Sequence, residues 1–207
     1  MSDPRTQIVG SGYDAMADTW ESWKAQITDD PRAAWCDELV SRLPAGVRVI
    51  ELGCGGGAVE TALLAERFRL TGVDLSQEQL GRARERIPGA EFVHADFTDI
   101  EFEPGSIGAV AAFYSFNHVP RDLLAPLYGR IRAWLAPAGL LLTALGTSDT
   151  ENWTGDWLGA PTYFSSFPPE VNTRMLGDAG FELLRDEVVT IREPEGDGTF
   201  QWILARR

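Results

Sequence analysis

The segment Val49-Ile50-Glu51-Leu52-Gly53-Cys54-Gly55-Gly56-Gly57 constrains the fold more than any other part of this chain. An apolar run with β-branched residues reads as a buried strand. Glycines at 53, 55, 56 and 57 read as a turn whose backbone passes close to something else. Val59, Leu63, Leu64 and Phe68 then share one helical face. Strand, glycine turn and helix N-terminus together form a place for a nucleotide-like ligand. Glu51 stands two residues before Gly53, within reach of a cationic group on that ligand.

Two ligand classes fit the glycines. Gly53, Gly55 and Ala58 match the dinucleotide pattern G-x-G-x-x-G/A. Glu51, Gly53, Gly55 and Gly57 match acid-x-Gly-x-Gly-x-Gly, and in this the chain resembles the class I S-adenosylmethionine (SAM)-dependent methyltransferases. Glu51 favours the second class, because a carboxylate repels a pyrophosphate and attracts a methionyl ammonium. The resemblance is clear from Val47 to Ala144, and the final hairpin agrees in pattern.

The remaining pattern is strand and helix in alternation. Strands are expected at Val47–Leu52, Arg69–Asp74, Glu91–Ala95, Ile107–Phe113 and Leu140–Ala144. Ser76 and Gln79 read as a capping box for the helix carrying Leu80, Ala83 and Ile87. Leu123, Leu124, Leu127, Ile131, Trp134 and Leu135 share a face of a later helix, with Pro126 expected in its first turn. A helix from Pro169 to Ala179 leads to a strand from Phe181 to Ile191 and a last strand containing Phe200, Trp202 and Leu204. The expected fold is α/β, a mostly parallel doubly wound sheet with helices on both faces and an antiparallel last strand. The resemblance implies seven strands in the order 3-2-1-4-5-7-6. Residues 1–207 are read as a single methyltransferase domain, with 1–45 as an N-terminal helical cap and 146–168 as a lid loop shaping the acceptor pocket. In the cap, Met16, Trp20, Trp23 and Ile27 recur at helical spacing, and Ala34, Leu39, Val40 and Leu43 suggest a second helix.

Strand ends supply the expected donor site. Asp74 can accept from both ribose hydroxyls, and Leu75 can pack on an adenine face. The resemblance implies that Asp96 receives the adenine amino group, that the following backbone N–H at Phe97 meets a ring nitrogen, and that backbone near Phe113 faces the methionyl group. His118 follows the fourth strand and reads as a general base, with Tyr13 closing over the donor or orienting the acceptor. Trp20, Tyr114, Trp153, Trp157 and Tyr163 read as acceptor-pocket aromatics.

Composition narrows the partners. The net charge is −13 and Lys24 is the sole lysine, which disfavours nucleic acid and anionic membrane surfaces. Two cysteines and two histidines are too few for a disulfide framework or a dense metal cluster, so no metal is expected. Without an apolar leader or a bilayer-length run, the expectation is a cytoplasmic enzyme methylating a small molecule, guessed to be an electron-rich aromatic or indole-like metabolite. A nicotinamide-dependent oxidoreductase and a non-catalytic SAM-binding protein are the alternatives. Oligomeric state and the methylated atom leave no mark on the sequence.

Overall fold

A computed structural model describes residues 3–207. Its elements in chain order are α1 (Pro4–Ala15), α2 (Ala17–Lys24), α3 (Arg32–Arg42), β1 (Arg48–Leu52), α4 (Val59–Arg67), β2 (Arg69–Asp74), α5 (Gln77–Arg86), β3 (Glu91–His94) and β4 (Ile107–Phe113). A short 3-10 turn (Ser115–His118) precedes α6 (Arg121–Trp134), β5 (Leu135–Gly146), β6 (Thr150–Trp157), β7 (Ala160–Ser166), α7 (Pro169–Asp178), β8 (Glu182–Glu193) and β9 (Gly196–Arg206).

The main sheet has seven strands in the order β3-β2-β1-β4-β5-β9-β8. Strands β3 to β5 pair in parallel, whereas β9 pairs antiparallel with both β5 and β8. This is the expected 3-2-1-4-5-7-6 order, with a separate hairpin interposed in the chain. Alternation along β1 divides the core. Val49 joins Trp35, Leu39, Leu64 and Trp202 beneath α3 and α4, while Ile50 and Leu52 join Leu127, Tyr128, Ile131 and Trp134 beneath α6. Trp134 and Trp202 are buried, as their positions on the apolar faces imply.

Three local differences from the sequence reading have physical causes. The N-terminal cap holds an extra helix, α1, which carries almost no apolar stripe. Its start is fixed by Asp3, whose side chain accepts from the Arg5 N–H, and by Pro4 at the first turn. Close packing through small residues holds it down: a Cβ on Gly12 would lie 2.3 Å from the Pro161 carbonyl oxygen. Second, residues 146–168 are not an irregular loop. They contain the β6–β7 hairpin, turned at Leu158 and Gly159, both with positive φ. Leucine at a left-handed turn position conceals that turn from sequence inspection. Third, α6 begins at Arg121, so Pro126 stands in its second turn, facing solvent, and not in the first.

Candidate active site

The chain leaves β1 through Gly53, at the point where the sheet order reverses between β2 and β4. Gly53 has φ +76°, and a Cβ there would lie 2.3 Å from the Ser115 Cβ. Only glycine lets the loop after β1 pass the loop after β4 so closely. Ser115 Oγ then ties the two strand ends together by donating to the Leu52 carbonyl at 2.6 Å. Next to it, Tyr114 adopts φ 63° and ψ −8°, a left-handed conformation that a bulky residue rarely takes. Such strain at a strand end marks a position where side-chain placement outweighs local comfort.

Around this crossing lies a cavity of about 1020 Å³ including its mouth. Glu51, Gly53, Gly55, Asp74, Leu75, Asp96, Phe97 and Phe113 all line it. Gly57 does not. Its Cβ would meet the Ala83 Cα at 3.1 Å, so this glycine seats the loop on α5, off the cavity wall.

The three acids are held differently. Asp74 pins the glycine turn, accepting from the Gly55 N–H at 2.8 Å and from the Ser76 N–H at 2.9 Å. Burial raises its pKa, and those backbone donors oppose the rise. Asp96 accepts from Thr98 N–H at 2.8 Å, Thr98 Oγ1 at 2.6 Å and Thr6 Oγ1 at 2.6 Å. It therefore builds its own turn and anchors α1, leaving fewer lone pairs for a ligand. Glu51 is 4% exposed; Thr61 Oγ1 donates to its Oε1 at 3.2 Å, and its Oε2 has no partner. Burial pushes the Glu51 carboxyl up to about 8, opposed by the Thr61 hydrogen bond and by the charge of Arg32.

Tyr13, Trp20, Tyr114 and His118 also line the cavity. Tyr13 packs edge-on against Trp20 and His118, with ring centroids 5.6 and 5.3 Å away. His118 Nδ1 lies 2.8 Å from the Tyr163 carbonyl oxygen, which can only accept, so Nδ1 carries the proton. Nε2 is then free to accept from the Tyr13 hydroxyl, 3.0 Å away. Burial lowers the His118 pKa to about 4, while the Tyr163 contact works against the drop. The ring is neutral at physiological pH and a weaker base than an unperturbed histidine.

Three expected pocket aromatics stand off the cavity wall. Trp153 is 40% exposed and packs on Phe164, with centroids 5.6 Å apart. Trp157 stands behind the wall, against Trp20 at 5.7 Å and Trp23 at 5.3 Å. Tyr163 is buried and donates to Asn152 Oδ1 at 2.7 Å; its backbone, not its ring, serves the site. The hairpin presents these rings from outside the cavity, so they support the wall instead of forming it.

Thr6, Lys24, Arg32 and Gln79 also line the cavity, and sequence reasoning passed over them. None stands at a strand end or in a ligand-binding motif, Gln79 being read only as part of a helix cap; α1, α2, α3 and α5 bring them in. Arg32 is held by Asp30 at 2.9 Å and by Glu60 at 3.8 Å, and Lys24 by Glu21 at 2.8 Å.

A family model described as a methyltransferase domain matches residues 49–139, from β1 into β5. Over those residues the chain is similar to methyltransferase domains. The match spans the glycine turn, Asp74, Asp96 and the Tyr114 corner. A trans-aconitate 2-methyltransferase of Paracidovorax citrulli is 42% identical over 120 residues, covering 55% of this chain and 45% of that protein. The chain thus spans less than half the length of that relative. Among solved structures, the DhpI–SAH complex superposes with a TM-score of 0.74 at 22% identity, covering 100% of this chain and 98% of the other. The [4+2]-cyclase SpnF gives 0.73 at 20% identity, covering 100% and 98%. At such identities the structural likeness speaks for the fold alone, and the chain shares that fold with a protein described as a cyclase. Among the described residues no helix is long and apolar enough to cross a membrane.

Proposed function

We infer that this chain transfers a methyl group from S-adenosylmethionine to a small-molecule acceptor. The observation that carries the reading is the unpartnered Oε2 of buried Glu51, at the head of a cavity that Asp74 and Asp96 also line. A buried carboxylate oxygen without a donor is costly unless a cation arrives, and a methionyl ammonium is such a cation. Arg32 beside it suits the methionyl carboxylate. Asp74 suits the ribose, and Leu75 and Phe97 suit the adenine faces. A pyrophosphate would lie against the Asp74 carboxylate and leave Glu51 without a cation, which disfavours a nicotinamide dinucleotide.

When bound, the donor supplies an already activated methyl group. The chain's own task is then to position the acceptor and exclude water. Tyr13 presents its hydroxyl oxygen to the acceptor, and His118 fixes that hydroxyl by accepting its proton in a hydrogen bond. With its low pKa, His118 serves as a positioning residue for Tyr13 in place of the general base expected from its type. Trp20 and Tyr13 supply flat apolar surface, which supports an electron-rich aromatic or indole-like acceptor. A second reading is a carboxylate-bearing acceptor. It is favoured by the cationic Lys24 in the cavity lining and by the substrate named for the Paracidovorax relative.

The test is incubation of the purified protein with the donor and two acceptor panels, aromatic metabolites and unsaturated polycarboxylates, read by mass spectrometry. Gain of one methyl in either panel supports transfer and chooses the acceptor class. Donor binding without transfer to any acceptor would favour a binding or cyclase-like role. Binding of NAD in place of the donor would overturn the reading.

A further inference from the structure

We propose that Gln79 is a second ribose-recognising side chain, working beside Asp74; this rests on the donor reading above. Gln79 occupies the third position of α5, where a capping-box glutamine would return its side chain to the N–H of the cap residue. Only half of that box forms. Ser76 Oγ accepts from the Gln79 N–H at 3.1 Å, but the Ser76 N–H donates to Asp74 Oδ1 at 2.9 Å. Asp74 has taken the partner that Gln79 would use.

The displaced amide is buried, with the residue 1% exposed, and neither Nε2 nor Oε1 has a hydrogen-bond partner. Buried polar atoms in native proteins are nearly always paired, so an amide with both ends idle requires an explanation. Its location provides one. Gln79 lines the donor cavity together with Asp74, Gly55 and Gly56. Its Oε1 lies over the glycine turn, 2.9 Å from where a Gly56 Cβ would be and 3.9 Å from where a Gly55 Cβ would be.

The chemistry of a vicinal diol completes the case. A carboxylate can only accept, so Asp74 takes the hydroxyl protons and leaves the hydroxyl oxygens in need of donors. An amide NH₂ next to it supplies them. The same amide oxygen remains available to a hydroxyl that Asp74 does not take. Carboxylate and amide together thus satisfy a diol that either group alone would leave half-paired.

The experiment uses the full chain and S-adenosylhomocysteine, with calorimetry for affinity and thermal melting for stability. Gln79→Met keeps length and volume while removing the amide. The expected result is an unchanged or raised melting temperature without ligand, since no protein hydrogen bond is lost, and affinity weaker by about tenfold. Against analogues lacking the ribose 2′ or 3′ hydroxyl, the loss should shrink for the hydroxyl that Gln79 engages. In the wild-type protein, the side-chain amide signals of Gln79 should shift on adding adenosylhomocysteine and shift less with that deoxy analogue. This second measurement holds even if Gln79→Met fails to fold. Equal affinity of variant and wild type, an equal loss for every analogue, or unmoved amide signals would each overturn the proposal. Wild-type protein that binds no adenosylhomocysteine at all would overturn the donor reading and this proposal with it.

Discussion

Glu51 is the side chain in which sequence position, burial and charge meet most directly. The acid ends a strand and precedes the glycines, a placement visible in the sequence; its missing partner is visible only once Thr61 and Arg32 have folded around it. With its pKa near 8, Glu51 is mostly protonated at neutral pH in the empty protein. Binding an ammonium requires the charged form, so donor binding releases a proton. Affinity for adenosylhomocysteine should therefore rise with pH, by nearly tenfold per unit while pH stays well below 8, and level off above it. Calorimetry in buffers of different ionisation enthalpy should show the released proton, and Glu51→Gln should flatten the profile. The stability sign is opposite. A raised acid binds an extra proton in the folded state, so its contribution is full below the unfolded carboxyl value and fades as pH climbs through 8. His118 behaves the other way: its contribution is full above the ordinary histidine value and is lost as pH falls through about 4. As a positioning residue, His118→Ala should cut turnover by roughly tenfold, short of the 10²–10⁴ expected for loss of a general base. Tyr13→Phe should match that loss. A wild-type rate from either folded variant would remove the pair from the chemistry.

At the level of elements, the cavity is closed by helices whose sequences give little sign of it. Apolar periodicity locates β1 to β5 and α4 to α6 because these elements bury one face or both. It fails for α1, where Gly10 and Gly12 allow contact with Leu75 and Pro161, and contact by small residues leaves no apolar stripe. It fails likewise for the β6–β7 hairpin, since β6 is largely exposed. Polar contacts hold the cap on α5: Asp14 with Ser76 at 2.6 Å, Arg82 with Asp18 at 2.6 Å and Arg86 with Glu21 at 2.8 Å. Their worth differs. Asp18 is 97% exposed, so Arg82→Ala should leave donor affinity within about twofold. Arg86 also donates to the Gly56 carbonyl at 2.8 Å and holds the glycine turn, so Arg86→Ala should weaken adenosylhomocysteine by about 3- to 10-fold without touching it. In the hairpin, Trp157→Ala should impair acceptor kinetics by removing the backing of Trp20, whereas exposed Trp153→Ala should do much less. Equal effects of the two would mean that the hairpin moves as a unit during turnover.

For the whole molecule, the sheet order was legible because right-handed βαβ crossovers and one terminal hairpin leave few topologies for such an alternation. The cavity was legible for the same reason: ligands sit beyond the strand ends where the order reverses, and the strand-end residues do line it. The remainder of the cavity wall was not, because its residues come from α1, α2 and α3, which no local pattern ties to the strand ends. A site assembled from both the sheet and the N-terminal cap should make ligand binding a global stabiliser. Adenosylhomocysteine at 100 times its Kd should add about 2.7 kcal/mol to the unfolding free energy. For a domain of this size that corresponds to a rise of roughly 5–10 °C in melting temperature. On the proposed donor placement adenosine alone would engage Asp74 and Leu75 but not Glu51 or Arg32, so at equal concentration it should raise the temperature by much less. NAD should raise it not at all, since its pyrophosphate would lie against the Asp74 carboxylate and leave Glu51 without a cation. A scan of the three ligands by differential scanning fluorimetry at fixed pH and salt separates these outcomes. A rise with NAD equal to that with adenosylhomocysteine would show that the glycine turn accepts phosphate despite the carboxylates. A rise with adenosine equal to that with adenosylhomocysteine would show that Glu51 and Arg32 contribute nothing to holding the methionyl end.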